Sequence, residues 1–332
     1  MSEPKGHRQT ACLAISEGNL EMAATALRNG RLVAFPTETV YGLGADACNA
    51  DAVAGIFAAK QRPSFNPLIS HVASTETAFA LGRATPVAER LATAFWPGPM
   101  TLVLDRREDC PIARLTSAGL DRIALRVPAE ATAQKLLKTF GGPVAAPSAN
   151  PSGAISPTRA DHVLQGLSGR VDIVLDGGRC DSGVESTVID CGGETARILR
   201  PGGVTRDDIH AAFVGTDFQL DEGPAPEDSQ TPVSPGMLAS HYAPKASVAM
   251  NVLKAPEDME LIGFGPVAGA GSLRMNLSPA GDLLEAAANL FDMLHAADAT
   301  GPSLIGVAPI PTTGLGEAIN DRLRRAAAPR GP

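Results

Sequence analysis

The sequence predicts an α/β protein, with a large domain on a mixed, twisted sheet and a second, smaller α/β domain behind it. Short apolar runs closed by proline or polar residues alternate irregularly with stretches of helical spacing. At 332 residues and 44% hydrophobic content, the chain has material for more than one core. An acidic stretch with two prolines, Thr216 to Gln230, separates the two regions and has the composition of a solvated linker. Strands and helices do not alternate strictly, which favours a mixed sheet over a doubly wound parallel one. The expected divisions are a large domain at 1–215, a linker at 216–245 and a small C-terminal domain at 246–332.

Leu20 to Arg28 has helical apolar spacing, and Arg31-Leu32-Val33-Ala34-Phe35 is a buried-strand run stopped by Pro36. Asn49 or Asp51 can cap a helix whose Val53, Ile56 and Phe57 share a face, ending near Lys60. A proline-stiffened loop, Lys60 to Pro67, leads into a strand at Leu68 to Val72. Thr85-Pro86 reads as a cap and first helical position, with a stop at Trp96-Pro97-Gly98-Pro99 and a strand at Met100 to Leu104. Further strands are expected at Arg122 to Val127, Val144 to Ala146, Val171 to Leu175, Ser186 to Ile189 and Arg197 to Leu199, with helices near Ala129 to Thr139 and Arg159 to Gly166. After the linker, strands at Ser247 to Val252, Glu260 to Phe264 and Ser303 to Val307 accompany helices at Asp282 to Ala297 and Glu317 to Ala328.

The formal charge of -8 gives a field that repels anions, so any anion site must be built locally. With 28 basic against 36 acidic residues and 4% aromatics, a nucleic-acid surface has little support. Met1 to Thr10 is polar with no apolar run behind it, so a cytoplasmic protein is expected. Five scattered cysteines, never spaced CxxC, are expected to be reduced thiols buried in the core rather than zinc ligands or disulfides.

Two polar segments stand out as an anion floor: Lys60-Gln61-Arg62-Pro63-Ser64-Phe65-Asn66-Pro67 and Ala146-Pro147-Ser148-Ala149-Asn150-Pro151-Ser152-Gly153. Each holds donor side chains on a backbone stiffened by proline. The chain has no GxxxxGK[ST] loop, and Gly263-Phe264-Gly265-Pro266-Val267-Ala268 matches a dinucleotide pattern whose helix Pro266 postpones. Ser148 lacks a GxSxG elbow, so it reads as a positioning hydroxyl. His71 ends an apolar strand, where core packing and ligand contact are both open. Arg126, flanked by Leu125 and Val127, must meet an acid partner or a ligand anion if its face is buried. Arg200 is open in the same way.

Longer strings are more specific. Phe35-Pro36-Thr37-Glu38-Thr39-Val40-Tyr41-Gly42-Leu43-Gly44, Lys60-Gln61-Arg62 through Asn66-Pro67-Leu68-Ile69-Ser70-His71, Ala146-Pro147-Ser148-Ala149-Asn150 and Gly183-Val184-Glu185-Ser186-Thr187-Val188-Ile189-Asp190 resemble the YrdC-like family in order and spacing. Ser234-Pro235-Gly236-Met237 with His241-Tyr242-Ala243-Pro244, and Gly314 to Leu323, resemble its longer form with an extra C-terminal domain. The resemblance implies a YrdC-like sheet, a Rossmann-like second domain, and threonylcarbamoyl-AMP synthesis from L-threonine, bicarbonate and ATP. The product would feed a downstream tRNA-modifying threonylcarbamoyl transferase.

By the same resemblance, Lys60, Arg62, Ser148 and Asn150 would be catalytic, and Thr39, His71, Arg126, Ala146 and Ser186 would hold threonine. ATP would meet Lys60, Arg62, Asn66, Ser148, Asn150, Ser156 and Arg200, with His241 and Tyr242 covering it as part of a lid. Arg122 is carried over as a further ATP contact, at a position where family members often have threonine. Magnesium is expected with ATP, held by phosphate oxygens and water rather than a protein cage. A non-catalytic RNA-binding module on the same fold is the alternative from another class. Carbamoyl transfer during hydrogenase maturation is a third reading, but the cysteine spacing lacks the zinc fingers that accompany it.

Overall fold

The computed structural model describes residues 9–63, 65–193, 195–221, 223, 241–256 and 259–329. The large region runs β1 (Ala11–Ala14), α1 (Glu17–Arg28), β2 (Val33–Phe35), β3 (Gly42–Asp46), α2 (Ala50–Lys60), β4 (Ile69–His71), α3 (Thr75–Leu81), α4 (Pro86–Phe95), β5 (Met100–Asp105), β6 (Arg122–Arg126), α5 (Ala131–Phe140) and β7 (Val144–Ala145). It continues through α6 (Ala160–Leu167), β8 (Ile173–Asp176), β9 (Thr187–Asp190), β10 (Ala196–Arg200), α7 (Arg206–Phe213) and β11 (Leu220–Asp221). The second region holds β12 (Ser247–Met250), β13 (Met259–Ile262), α8 (Leu283–Ala299), β14 (Leu304–Val307) and α9 (Leu315–Ala327).

The caps follow from the residues. Ser16 accepts from the Asn19 amide at the start of α1, Asn49 from the Asp51 and Ala52 amides at α2, and Thr85 from the Ala88 amide at α4, where Pro86 opens the helix. The large sheet has eleven strands in the order β1-β8-β2-β3-β7-β4-β6-β5-β9-β10-β11, with parallel and antiparallel neighbours mixed as expected. Alternation along β2 sends Val33 and Phe35 into a core with α1 and α5, and Ala34 into a larger core with α2 and α4. Both faces of the central strands are therefore buried. The small sheet, β12-β14-β13, is parallel throughout.

Five elements escaped the sequence reading: β1, β3, α3, α7 and β11. β1 is an edge strand with mostly exposed side chains and no β-branched residue. β3 carries Gly42 and Gly44; a Cβ on Gly44 would sit 2.9 Å from the Phe35 ring and 3.0 Å from the Val33 carbonyl, so packing demands the residue that weakens the strand pattern. α3 and α7 are short, and their caps, Ser74 and the Thr205–Asp208 capping box, were the readable signal. β11 pairs with β10 and carries the large sheet to Asp221, past the boundary expected at residue 215. The cysteine expectation needs correction: all five thiols are free, but only Cys110, Cys180 and Cys191 are buried. Cys12 lies on the edge strand and Cys48 in the turn after β3, positions that no core covers. Met1 to Arg8 and the linker residues 224–240, which include Ser234-Pro235-Gly236-Met237, lie outside the described residues.

The two regions share an apolar seam. Val40, Ile155 and Val184 of the large region pack in one cluster with Leu290, Phe291 and Ile319 of α8 and α9. Gly183 marks the closest approach: its φ is +67°, and a Cβ there would lie 2.3 Å from the Ala287 carbonyl oxygen of α8. Gly183→Ala should therefore strain the backbone and push α8 away, lowering stability by about 1–3 kcal/mol. An unchanged urea midpoint would show that α8 does not rest on this turn.

Candidate active site

Lys60 is the last residue of α2, and Gln61 turns the chain with φ 54°. Arg62 then folds its loop around its own guanidinium, with Nε donating to the Asn66 carbonyl at 3.3 Å and Nη2 to the Pro67 carbonyl at 3.1 Å. On the opposite side β7 runs out into Ala146 to Asn150, held beside β3 by Leu43 N–Pro147 O at 2.7 Å and Ala149 N–Tyr41 O at 2.8 Å. Lys60 joins the two loops: its Nζ donates to the Ser148 carbonyl at 2.6 Å and to the Asn150 carbonyl, with Asn150 Oδ1 at 3.5 Å. The segments singled out in the sequence, far apart in the chain, are thus one surface.

A cavity opens above this junction. Thr39, Arg62, His71, Arg126, Ala146, Ser148, Ser186, Arg200, His241 and Tyr242 line it, as do Thr37, Val40, Gly42, Ile69, Pro147 and Glu185. Among the sequence-derived candidates, Lys60, Asn66, Asn150 and Ser156 do not line it but are buried. Lys60 and Asn150 support the Ser148 segment, Ser156 donates to Glu185 at 2.5 Å, and the Asn66 amide is fully buried with neither polar atom paired. Arg122 is placed elsewhere: its guanidinium is engaged by Asp105 at 3.0 Å and by Asp190, at the other end of β6 from Arg126. The position that departs from the family pattern therefore serves a surface ion pair. Glu38 and Glu185, unassigned from the sequence, lie within the strings that carried the resemblance.

Arg126 answers the question its strand posed. Its Nη2 is 2.7 Å from Glu38 Oε1, its Nη1 donates to Thr39 Oγ1 at 2.9 Å and its Nε to the Gly98 carbonyl at 3.2 Å. It meets an acid partner and lines the cavity as well. Burial would raise the Glu38 carboxyl, but the charge and contact of Arg126 more than offset this and hold it below its usual range. Arg200 donates to the Ser186 carbonyl at 2.8 Å and to its hydroxyl at 3.2 Å.

The cations crowd one another. Burial and the neighbouring Arg62 press the Lys60 ammonium well below its ordinary value, although the oxygens around Nζ accept from it. Burial lowers Arg62 to about 10, with Arg200 contributing. His71 is pushed down to about 3 by burial and then Arg126, so it is neutral across the physiological range. His241 is driven well down by burial and by Arg62, Lys60 and Arg200. This is a pocket of desolvated positive charge that a bound polyanion would relieve.

The roof comes from the last residues of the expected linker, His241 to Ala243. Ala243 N donates to the Gly153 carbonyl at 2.8 Å, pinning the His241-Tyr242-Ala243 segment to the Ser148 loop. Tyr242, with φ 62°, turns its ring onto Phe291 of α8 at 5.6 Å between centroids.

Two family models match the chain: Sua5_yciO_yrdC, described as Telomere recombination, over residues 25–202, and Threonylcarbamoyl-AMP synthase, C-terminal domain, over residues 204–328. The Threonylcarbamoyl-AMP synthase of Pyrococcus abyssi (strain GE5 / Orsay) is 42% identical, with 95% of this chain and 96% of the relative covered. That of Bacillus subtilis (strain 168) is 39% identical, with 96% and 95% covered. The crystal structure of P. abyssi Sua5 complexed with L-threonine superposes with a TM-score of 0.84 at 38% identity, covering 96% of this chain and 97% of that one. A variant of P. abyssi Sua5 with an adjacent His and Tyr both changed to Ala gives 0.85 at 36% identity, with 96% of each chain covered. The chain belongs to the Sua5/YrdC family of threonylcarbamoyl-AMP synthases, in the form with the additional C-terminal domain.

Proposed function

We propose that this cavity is where L-threonine, bicarbonate and ATP are joined into threonylcarbamoyl-AMP and pyrophosphate. The observation that supports this most directly is the convergence of Arg62, Arg126 and Arg200 on one cavity, with Lys60 beneath it, in a chain of net charge -8. The amine of threonine adds to bicarbonate with loss of water to give a carbamate. A carbamate oxygen then attacks the α-phosphorus of ATP in line, and pyrophosphate leaves with the electron pair of the broken P–O bond. Each partner is an anion or carries a carboxylate, so charge compensation and alignment are the main tasks, and no covalent nucleophile is needed.

Arg126, its fork oriented by Glu38 and Thr39, suits the threonine carboxylate, with Ser186 and neutral His71 beside it. Arg62, Ser148 and Arg200 suit the phosphates, and Lys60 and Asn150 hold the floor that carries them. Asn66 and Ser156 would support ATP from behind this wall rather than by lining it. His241 and Tyr242 would keep water from a hydrolysable adenylate. Magnesium would enter with ATP, taking phosphate oxygens and water as ligands, because the carboxylates at the cavity, Glu38 and Glu185, are engaged by Arg126 and Arg322. No helix among the described residues is long and apolar enough to cross a membrane. We place the reaction in the cytoplasm, where a tRNA-modifying transferase would consume the adenylate.

The assay is pyrophosphate release with labelled bicarbonate, expected only when threonine, bicarbonate and ATP are all present; release independent of threonine would refute the assignment. A charge-assisted hydrogen bond is worth about 1.5–3 kcal/mol, so Arg62→Ala and Arg126→Ala should each lower kcat/KM by about ten- to a hundredfold. Activity near wild type in both would remove them from the site. ATP binding also has a predictable pH dependence. Its phosphates favour the Lys60 ammonium, whose pKa in the free protein is depressed. Affinity should therefore fall as pH rises through the window between the free and bound values, with a proton taken up on binding. Calorimetry in buffers of different ionisation enthalpy, above the pH at which ATP itself titrates, should detect that uptake; proton release there would contradict it.

A further inference from the structure

Glu185 is out of place in an anion pocket. It lines the cavity alongside Arg62 and Arg200, where a free carboxylate would repel a triphosphate. Its partner is Arg322, which comes from α9 of the C-terminal domain and has no solvent exposure. Arg322 Nε donates to Glu185 Oε2 at 2.9 Å, while Glu185 Oε1 accepts from Ser156 at 2.5 Å, so both carboxylate oxygens are occupied. The same guanidinium donates through Nη1 to the Pro201 carbonyl at 2.6 Å, directly after Arg200, and lies 5.5 Å from the centre of the Tyr242 ring. One side chain of the second domain therefore touches three parts of the cavity wall: the Glu185 segment, the turn after Arg200, and the roof.

We propose that Arg322 is a positioning residue for ATP, cancelling the charge of Glu185 and fixing the wall so that the nucleotide meets a cationic surface. The proposal rests on the reading of the cavity as the ATP site and gives the C-terminal domain a part in the chemistry. Asp321 also contacts Arg322 Nη1, at 3.0 Å, and bonds Arg325 at 3.1 Å, so it is shared and leaves Arg322 able to neutralise Glu185.

The test measures the affinity of full-length protein for a non-hydrolysable ATP analogue by calorimetry, with KM for ATP and kcat from pyrophosphate release. Arg322→Met should weaken analogue binding and raise KM for ATP by about tenfold or more, with a smaller effect on kcat. Glu185→Gln, which removes the charge but keeps the acceptor for Ser156, should bind at least as tightly as wild type. Combining Glu185→Gln with Arg322→Met should bring affinity back to within about threefold of wild type. A role in folding alone would lower kcat and thermal stability in Arg322→Met while leaving KM for ATP unmoved. That result, or a double variant no better than Arg322→Met, overturns the proposal. Should Arg322→Met not fold, Glu185→Gln decides alone: affinity weakened about tenfold would refute charge cancellation. Wild-type protein that binds the analogue but releases no threonine-dependent pyrophosphate would count against the proposed reaction, not against this inference.

Discussion

One ammonium group organises the site. Lys60 Nζ reaches from the end of α2 to the Ser148 and Asn150 carbonyls, and the Lys60 carbonyl in turn accepts from the Ser152 amide at 2.8 Å. A buried charge is tolerated only when its protons are satisfied, and here the acceptors are the backbone of the loop that must be positioned. The desolvation of Lys60 is thus coupled to the placement of Ser148, and both depend on α2 ending where it does. Arg62, two residues on, is fixed by carbonyls of its own loop and so faces the cavity already oriented.

The second constraint is electrostatic balance inside the cavity. Positive charge from Arg62, Arg126 and Arg200 is held in place by neutral acceptors and, at Arg126, by the Glu38 carboxylate. The histidines add donors or acceptors without adding charge, because burial and the nearby cations keep them neutral. A polyanion entering this site exchanges its hydration for groups that need no reorientation.

Much of this was legible in the sequence, for identifiable reasons. Helices with a side-chain cap, such as α2 and α4, were placed to within a residue or two, because capping is local. β3 was missed because its glycines answer to Phe35 and Val144 across the fold, a non-local demand that weakens local propensity. The division of labour in the site was not legible either. Composition and spacing name Lys60 and Asn150 as donors, but only packing shows them under the cavity floor and not in its lining. Arg122, carried over by resemblance, lies outside the cavity lining with its guanidinium engaged by two carboxylates, a pairing that only the folded arrangement of β5, β6 and β9 reveals. Glu185 needed the second domain to be intelligible, because the charge that answers it stands on α9.

The apolar seam between the two sheets has an architectural consequence. Val40, Ile155 and Val184 belong to the larger half by chain position, yet their packing partners stand on α8 and α9. Cutting the chain ahead of β12 would leave these side chains wet beside the cavity and remove the ring support of Tyr242. The smaller half is thus a structural wall of the larger one.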